Sequence, residues 1–139
     1  MKKKLITTVV FLVAGWFMFS IISGFRPFQE KKPWPVPENN KNKKNPVASD
    51  AESIAAGKAL WSTHCKSCHG TKGLGDGSKA AQLKTEPGDF SKAETQSQSD
   101  GSLFYKTSEG RDDMPSFKKK IPDQDDIWSI VNFMRTLKK

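Results

Sequence analysis

Seven consecutive residues, His64-Cys65-Lys66-Ser67-Cys68-His69-Gly70, hold both cysteines and both histidines of the chain. Their core is Cys-x-x-Cys-His, the c-type haem attachment pattern. Two thiols three positions apart can each add to one vinyl group of a haem, and the imidazole that follows is delivered to the proximal face of the iron. One short turn then supplies two covalent links, Cys65 and Cys68, and one axial ligand, His69. Other chemistries of these residue types fit less well. A thioredoxin-like redox pair sits at the end of a strand within a βαβ pattern, and no such strand precedes Cys65. A zinc site needs two further cysteine or histidine ligands, and only His64 is left over. A disulfide would suit an oxidising compartment but gives no reason for His69. His64 reads as a solvent-facing or hydrogen-bonding neighbour, too close to Cys65 to reach the opposite face of a haem.

A second axial ligand must come from another segment. Of the four methionines, Met1 is the initiator, Met18 lies in an apolar run and Met134 falls at helical spacing among apolar residues. Met114 stands apart, in the non-helical stretch Arg111-Asp112-Asp113-Met114-Pro115-Ser116-Phe117. Pro115 biases Met114 toward extended backbone and stiffens the loop. Met114 is therefore the candidate thioether ligand.

Helices are needed to hold these two segments. Ser49-Asp50-Ala51-Glu52 has the form of a capping box between Ser49 and Glu52, and a helix is expected from there to about Thr63. Ile54, Gly57, Leu60 and Trp61 fall on one face of it. Gly57 costs a helix interior about 1 kcal/mol relative to alanine, which points to a second helix crossing closely there. Gly70, Gly73, Gly75 and Gly77 mark a loop whose backbone can pass near a haem edge; a phosphate-cradling loop would need a strand and a Gly-Lys-Ser/Thr element that are missing. Ser78 to Leu83 reads as a short helical turn, and Glu86 to Phe90 as a turn with Phe90 inward. Asp100 is placed to cap a helix to about Glu109 that buries Leu103 and Phe104 and ends at Gly110. The last helix spans Ile127 to Leu137, with acids before it and bases at its end as the helix dipole favours. Ile127, Ile130, Val131, Met134 and Leu137 form its apolar stripe, widened by Trp128 and Phe133.

The chain is 139 residues with a net charge of +8, and the excess lies outside this helical region. Residues 1–25 hold three lysines and no acid, residues 26–50 six basic and three acidic side chains, and residues 51–139 fourteen and twelve. The basic balance thus reports a flank and a linker, with no nucleic-acid signal. Leu5 to Phe25 is an uncharged run of 21 residues, long enough for a membrane span and lacking an Ala-x-Ala-like cleavage site. An uncleaved anchor over residues 1–25 is favoured over a cleaved signal peptide. With its lysines inside, the rest lies on the outer, periplasmic or extracytoplasmic, face of the cell membrane. Residues 26–48, rich in proline, lysine and asparagine, read as a linker, extended over Lys32 to Pro37 and loose coil over Asn39 to Asn45. Residues 49–139 form the folded domain. It is small enough that a haem would supply missing core.

From about Ser49 onward the sequence resembles the class I monohaem cytochromes c of compact bacterial type. Gly57 and Trp61 are similar to that family's glycine and aromatic on its N-terminal helix, and Cys65, Cys68 and His69 to its haem attachment motif. Met114-Pro115 resembles its distal ligand loop, and Ile130 with Phe133 its apolar and aromatic pair on the C-terminal helix. The resemblance implies an all-α cytochrome c fold, its N- and C-terminal helices crossing around one covalent haem c per chain, with iron held by His69 and Met114. It implies electron transfer between respiratory redox proteins and no enzymatic turnover, since filled axial positions leave no substrate site. Two rival roles are a fixed subunit of a larger respiratory oxidoreductase or oxidase, and a haem-based gas sensor in which Met114 does not bind iron.

Overall fold

In the computed structural model, which describes residues 33–139, six α-helices follow one another: α1 Glu38–Lys41, α2 Ala51–His64, α3 Lys66–His69, α4 Ala93–Gln96, α5 Asp100–Glu109 and α6 Gln124–Thr136, with a 3-10 turn at Ala80–Gln82. The pairing of Arg111 with Met114 is an isolated bridge, and the described residues contain no strand, so the fold is all-α. The anchor expected over residues 1–25 and the first part of the linker lie outside the described residues. Among the described residues no helix is long and apolar enough to cross a membrane.

The fold turns on the crossing of α2 with α6. A Cβ on Gly57 would overlap the main-chain carbonyl of Ser129 and lie 3.0 Å from the amide nitrogen of Ile130. Only glycine lets the two backbones meet there, as the sequence implied. Around the crossing, Trp61, Ile127, Ile130 and Val131 are almost completely buried. Phe104 of α5 stacks on Trp128 of α6 with ring centroids 4.1 Å apart. Met134 is buried core, as its spacing required, while Leu137 packs at the margin. Arg135 of α6 reaches back to the Asp100 carboxylate and to the carbonyls of Gln96 and Gln98, which fastens the start of α5.

Two helix starts differ in register from the sequence reading. Helix α2 is capped by Asp50, which accepts from the Ser53 amide at 2.9 Å while the Ser53 hydroxyl accepts from the Asp50 amide. The box is thus one residue later than Ser49 and Glu52, because Ser53 is buried and its hydroxyl also donates to the Ala48 carbonyl at 2.6 Å. Helix α5 begins at Asp100 with Ser99 as its cap.

The described part of the expected linker, residues 33–48, is packed as a strap. Val36 is buried, and Glu38–Lys41 forms a helical turn where loose coil was expected. The strap is held by side-chain amides: Asn45 donates to the Trp128 carbonyl (3.3 Å) and to Asn132 (2.8 Å), and Asn132 donates to the carbonyls of Val47 and Ala48. A Cβ on Gly101 would overlap the Asn40 carbonyl, so the strap lies directly against the first turn of α5. Asparagine looks solvated in composition; here the amide of Asn45 is spent on a helix carbonyl and on Asn132.

Candidate functional site

The attachment turn is set by the end of α2. Cys65 is at once the last cap of α2 and the first cap of α3. Its amide donates to the Trp61 carbonyl at 2.9 Å, and its carbonyl accepts from the amides of Cys68 (3.1 Å) and His69 (2.9 Å). One residue therefore fixes the backbone of all three candidate groups. The glycine loop then folds back over the turn: the amides of Gly75, Gly77 and Lys79 donate to the carbonyls of His69, Cys68 and Ser67. The main chain that carries Cys65, Cys68 and His69 is thereby closed on both sides.

His69 sits among aromatic rings. Its ring centroid is 5.5 Å from that of Trp61 and 5.2 Å from that of Phe90, the latter edge to face. Trp61 in turn meets Phe90 edge-on and Phe133 at a tilt, and its indole N–H donates to the Gly70 carbonyl at 2.9 Å. Burial depresses the imidazole's pKa below the usual histidine range, and the nearby Pro87 carbonyl, which favours the protonated ring, does not reverse it. Nδ1 is shut away from solvent without a hydrogen bond of good geometry. The ring is held neutral at pH 7, the form that ligates metals.

Both cysteines are free thiols. Cys65 is buried, and burial, with a smaller contribution from Cys68, pushes its thiol up to about 12. Cys68 is half-buried, 3.9 Å from the Ser67 hydroxyl.

Met114 lies on a separate loop with its own supports. Helix α5 stops at Gly110, whose φ is +70° and whose missing Cβ leaves room for the backbone of Met114 and Pro115. Arg111 and Met114 then exchange both main-chain hydrogen bonds, at 2.8 and 2.9 Å, around a turn in which Asp112 has a φ of +52°. The Asp113 carboxylate accepts from the Lys84 amide at 2.7 Å, and the Ser108 carbonyl accepts from the Ser116 hydroxyl and the Phe117 amide. Met114 is half-buried against the apolar cluster that includes Cys65, Trp61 and Phe117. His64 and Phe117 meet edge to face, with centroids 5.9 Å apart. The predicted residues thus fall into one rigid turn and one braced loop on a shared core.

These donors fit a c-type haem: two unpaired thiols on one turn, a neutral imidazole, and a thioether on a loop with little freedom. Among the described residues no three His, Cys, Asp or Glu side chains gather as a metal-ion site. Sequence reasoning placed Phe90 inward without its partner. It missed the bracing roles of Asp113 and Ser108, whose partners are distant in the chain or on the main chain.

The family described as cytochrome c oxidase, cbb3-type, subunit III matches residues 52–134. A search of curated proteins gives no match. Among solved structures, a chain of the reducing HAO-like protein complex of Kuenenia stuttgartiensis superposes with a TM-score of 0.60 at 24% identity, over 81% of this chain and 54% of that one. This chain therefore spans about half of that neighbour, and the likeness at this identity concerns the fold.

Proposed function

We propose that this chain, which belongs to the cytochrome c oxidase, cbb3-type, subunit III family, is a membrane-tethered electron carrier with one haem c. Electron transfer follows from the family. When bound, the haem supplies a one-electron change at its iron. The chain's own part is to hold that group. Cys65 and Cys68 would form the covalent links, and His69, whose Nδ1 is already enclosed, and Met114 would hold the iron. A thioether ligand favours the reduced state and raises the potential. Held by both His69 and Met114, the iron would have no place for a substrate, so the chain's role would be to pass electrons between respiratory redox proteins without transforming a small molecule. The tethering is supported by Lys2 to Lys4 and the uncharged run Leu5–Phe25, which with the lysines inside would leave the haem domain on the outer face of the cell membrane.

The observation that carries the reading is the closed turn from Cys65 to His69, with two free thiols and a neutral, half-buried imidazole whose Nδ1 is enclosed. A second reading, a fixed subunit of a larger respiratory complex, is favoured by the description of the family itself. A stoichiometric complex surviving mild detergent extraction would select it over the free shuttle.

The test is the optical spectrum of the full chain with haem. The oxidised protein should show the weak far-red band of an iron–thioether bond, and the reduced protein should resist carbon monoxide. Met114→Ala should lose the band and bind carbon monoxide rapidly while keeping its haem through denaturation. Rapid carbon monoxide binding by the unaltered protein would sink six-coordinate carriage and bring the gas-sensor role forward.

A further inference from the structure

The strap does more than cover the helices, because its first described residues close on the segment that carries Met114. The Trp34 ring lies 4.5 Å from the guanidinium carbon of Arg111 and 5.5 Å from the ammonium of Lys106. Arg111 also donates from Nη1 to the Pro33 carbonyl at 2.8 Å, and its Nε lies 3.5 Å from the Asp112 carboxylate. Its backbone is the partner of Met114 in the isolated bridge. A bridge of two hydrogen bonds has no sheet behind it, and the residue at its tip, Asp112, sits in a sparsely populated region of backbone space. Such a turn keeps its shape only if something outside it holds one of its ends.

We propose that Trp34 and Arg111 are positioning residues for Met114. The indole face and the Pro33 carbonyl hold the guanidinium flat, the guanidinium fixes the Arg111 backbone, and the bridge passes that constraint to Met114. Arginine suits this place because one planar group both stacks on the ring and donates a directed hydrogen bond, which an ammonium does not do at once. The inference rests on Met114 as the iron ligand; the clamp on the loop is itself independent of iron.

The experiment uses the full chain with haem and reads two quantities, the rate at which carbon monoxide displaces the sixth ligand of the reduced protein and the hydrogen exchange of the Arg111 and Met114 amides. Trp34→Ala should raise the displacement rate about threefold, the effect of losing a partly exposed cation–π contact. It should also speed exchange at those two amides while leaving α6 unchanged. Trp34→Phe, which keeps a ring face, should restore most of both, and Arg111→Lys should resemble Trp34→Ala. Unchanged rates at both readouts would overturn the proposal, as would exchange that rises equally everywhere, the mark of a merely structural role. If Trp34→Ala does not fold, Arg111→Lys decides on the same readouts. If Met114→Ala leaves the spectrum and carbon monoxide reactivity unaltered, the ligand assignment has failed, and amide exchange alone decides the clamp.

Discussion

Trp61 meets the attachment turn twice, through its ring against His69 and through its indole N–H on the Gly70 carbonyl. Trp61→Phe keeps a ring and removes the donor, leaving the Gly70 carbonyl with only the longer 3.3 Å bond from the Gly73 amide, and a small void. Stability should fall by about 2 kcal/mol, read as a lower urea midpoint. The far-red band should survive, since the His69 backbone is fixed by the Cys65 carbonyl and not by the indole. Loss of the band in a folded Trp61→Phe chain would show that the ring itself orients the imidazole. At this scale the sequence was legible where chemistry is local. Cys65, Cys68 and His69 are neighbours, so spacing alone exposes them, and Met114 stands out by the company the other methionines keep. Trp34, Asn45 and Asn132 gave no such signal. Asn45 and Asn132 bond across 87 positions, and Asn132 sits inside an apolar stripe where its amide reads as an interruption.

At the scale of elements, the close approach of α2 and α6 makes a sharp prediction. Gly57→Ala gains about 1 kcal/mol of helix propensity, yet its methyl would meet main-chain atoms of Ser129 and Ile130, which cannot rotate away. Overpacking of about 3 kcal/mol should win, giving a net loss of about 2 kcal/mol and a Tm lower by roughly 10 °C. A Tm equal to or above that of the parent would mean that the helices slide apart at no cost. The glycine was readable as a crossing because a helix interior tolerates it only for such a reason. Helix starts were less readable. Ser49-x-x-Glu52 and Asp50-x-x-Ser53 offer caps in adjacent registers, and what selects the second is the tertiary burial of Ser53.

For the whole molecule, the boundary drawn from composition at Ser49 falls inside the folded body. A chain begun at Ser49 would lose the buried Val36 and both Asn45 bonds, and Asn132, 4% exposed, would keep only the Ser53 hydroxyl among its partners. Apolar burial and the stranded amide together should cost roughly 3 kcal/mol, measured as a drop in the urea midpoint. Replacing Asn132 with Leu in that shortened chain should recover part of it, because the unpaired amide is gone. An unchanged midpoint would return the strap to the status of a linker. The strap also orders events in time. Its residues leave the ribosome before the elements they hold, and the α6 groups that pair with Asn45, the Trp128 carbonyl and the Asn132 amide, are made 83 and 87 positions later. The amide bonds of the strap to α6 can therefore close only once α6 exists, so the fastening of this early segment waits on a helix made much later.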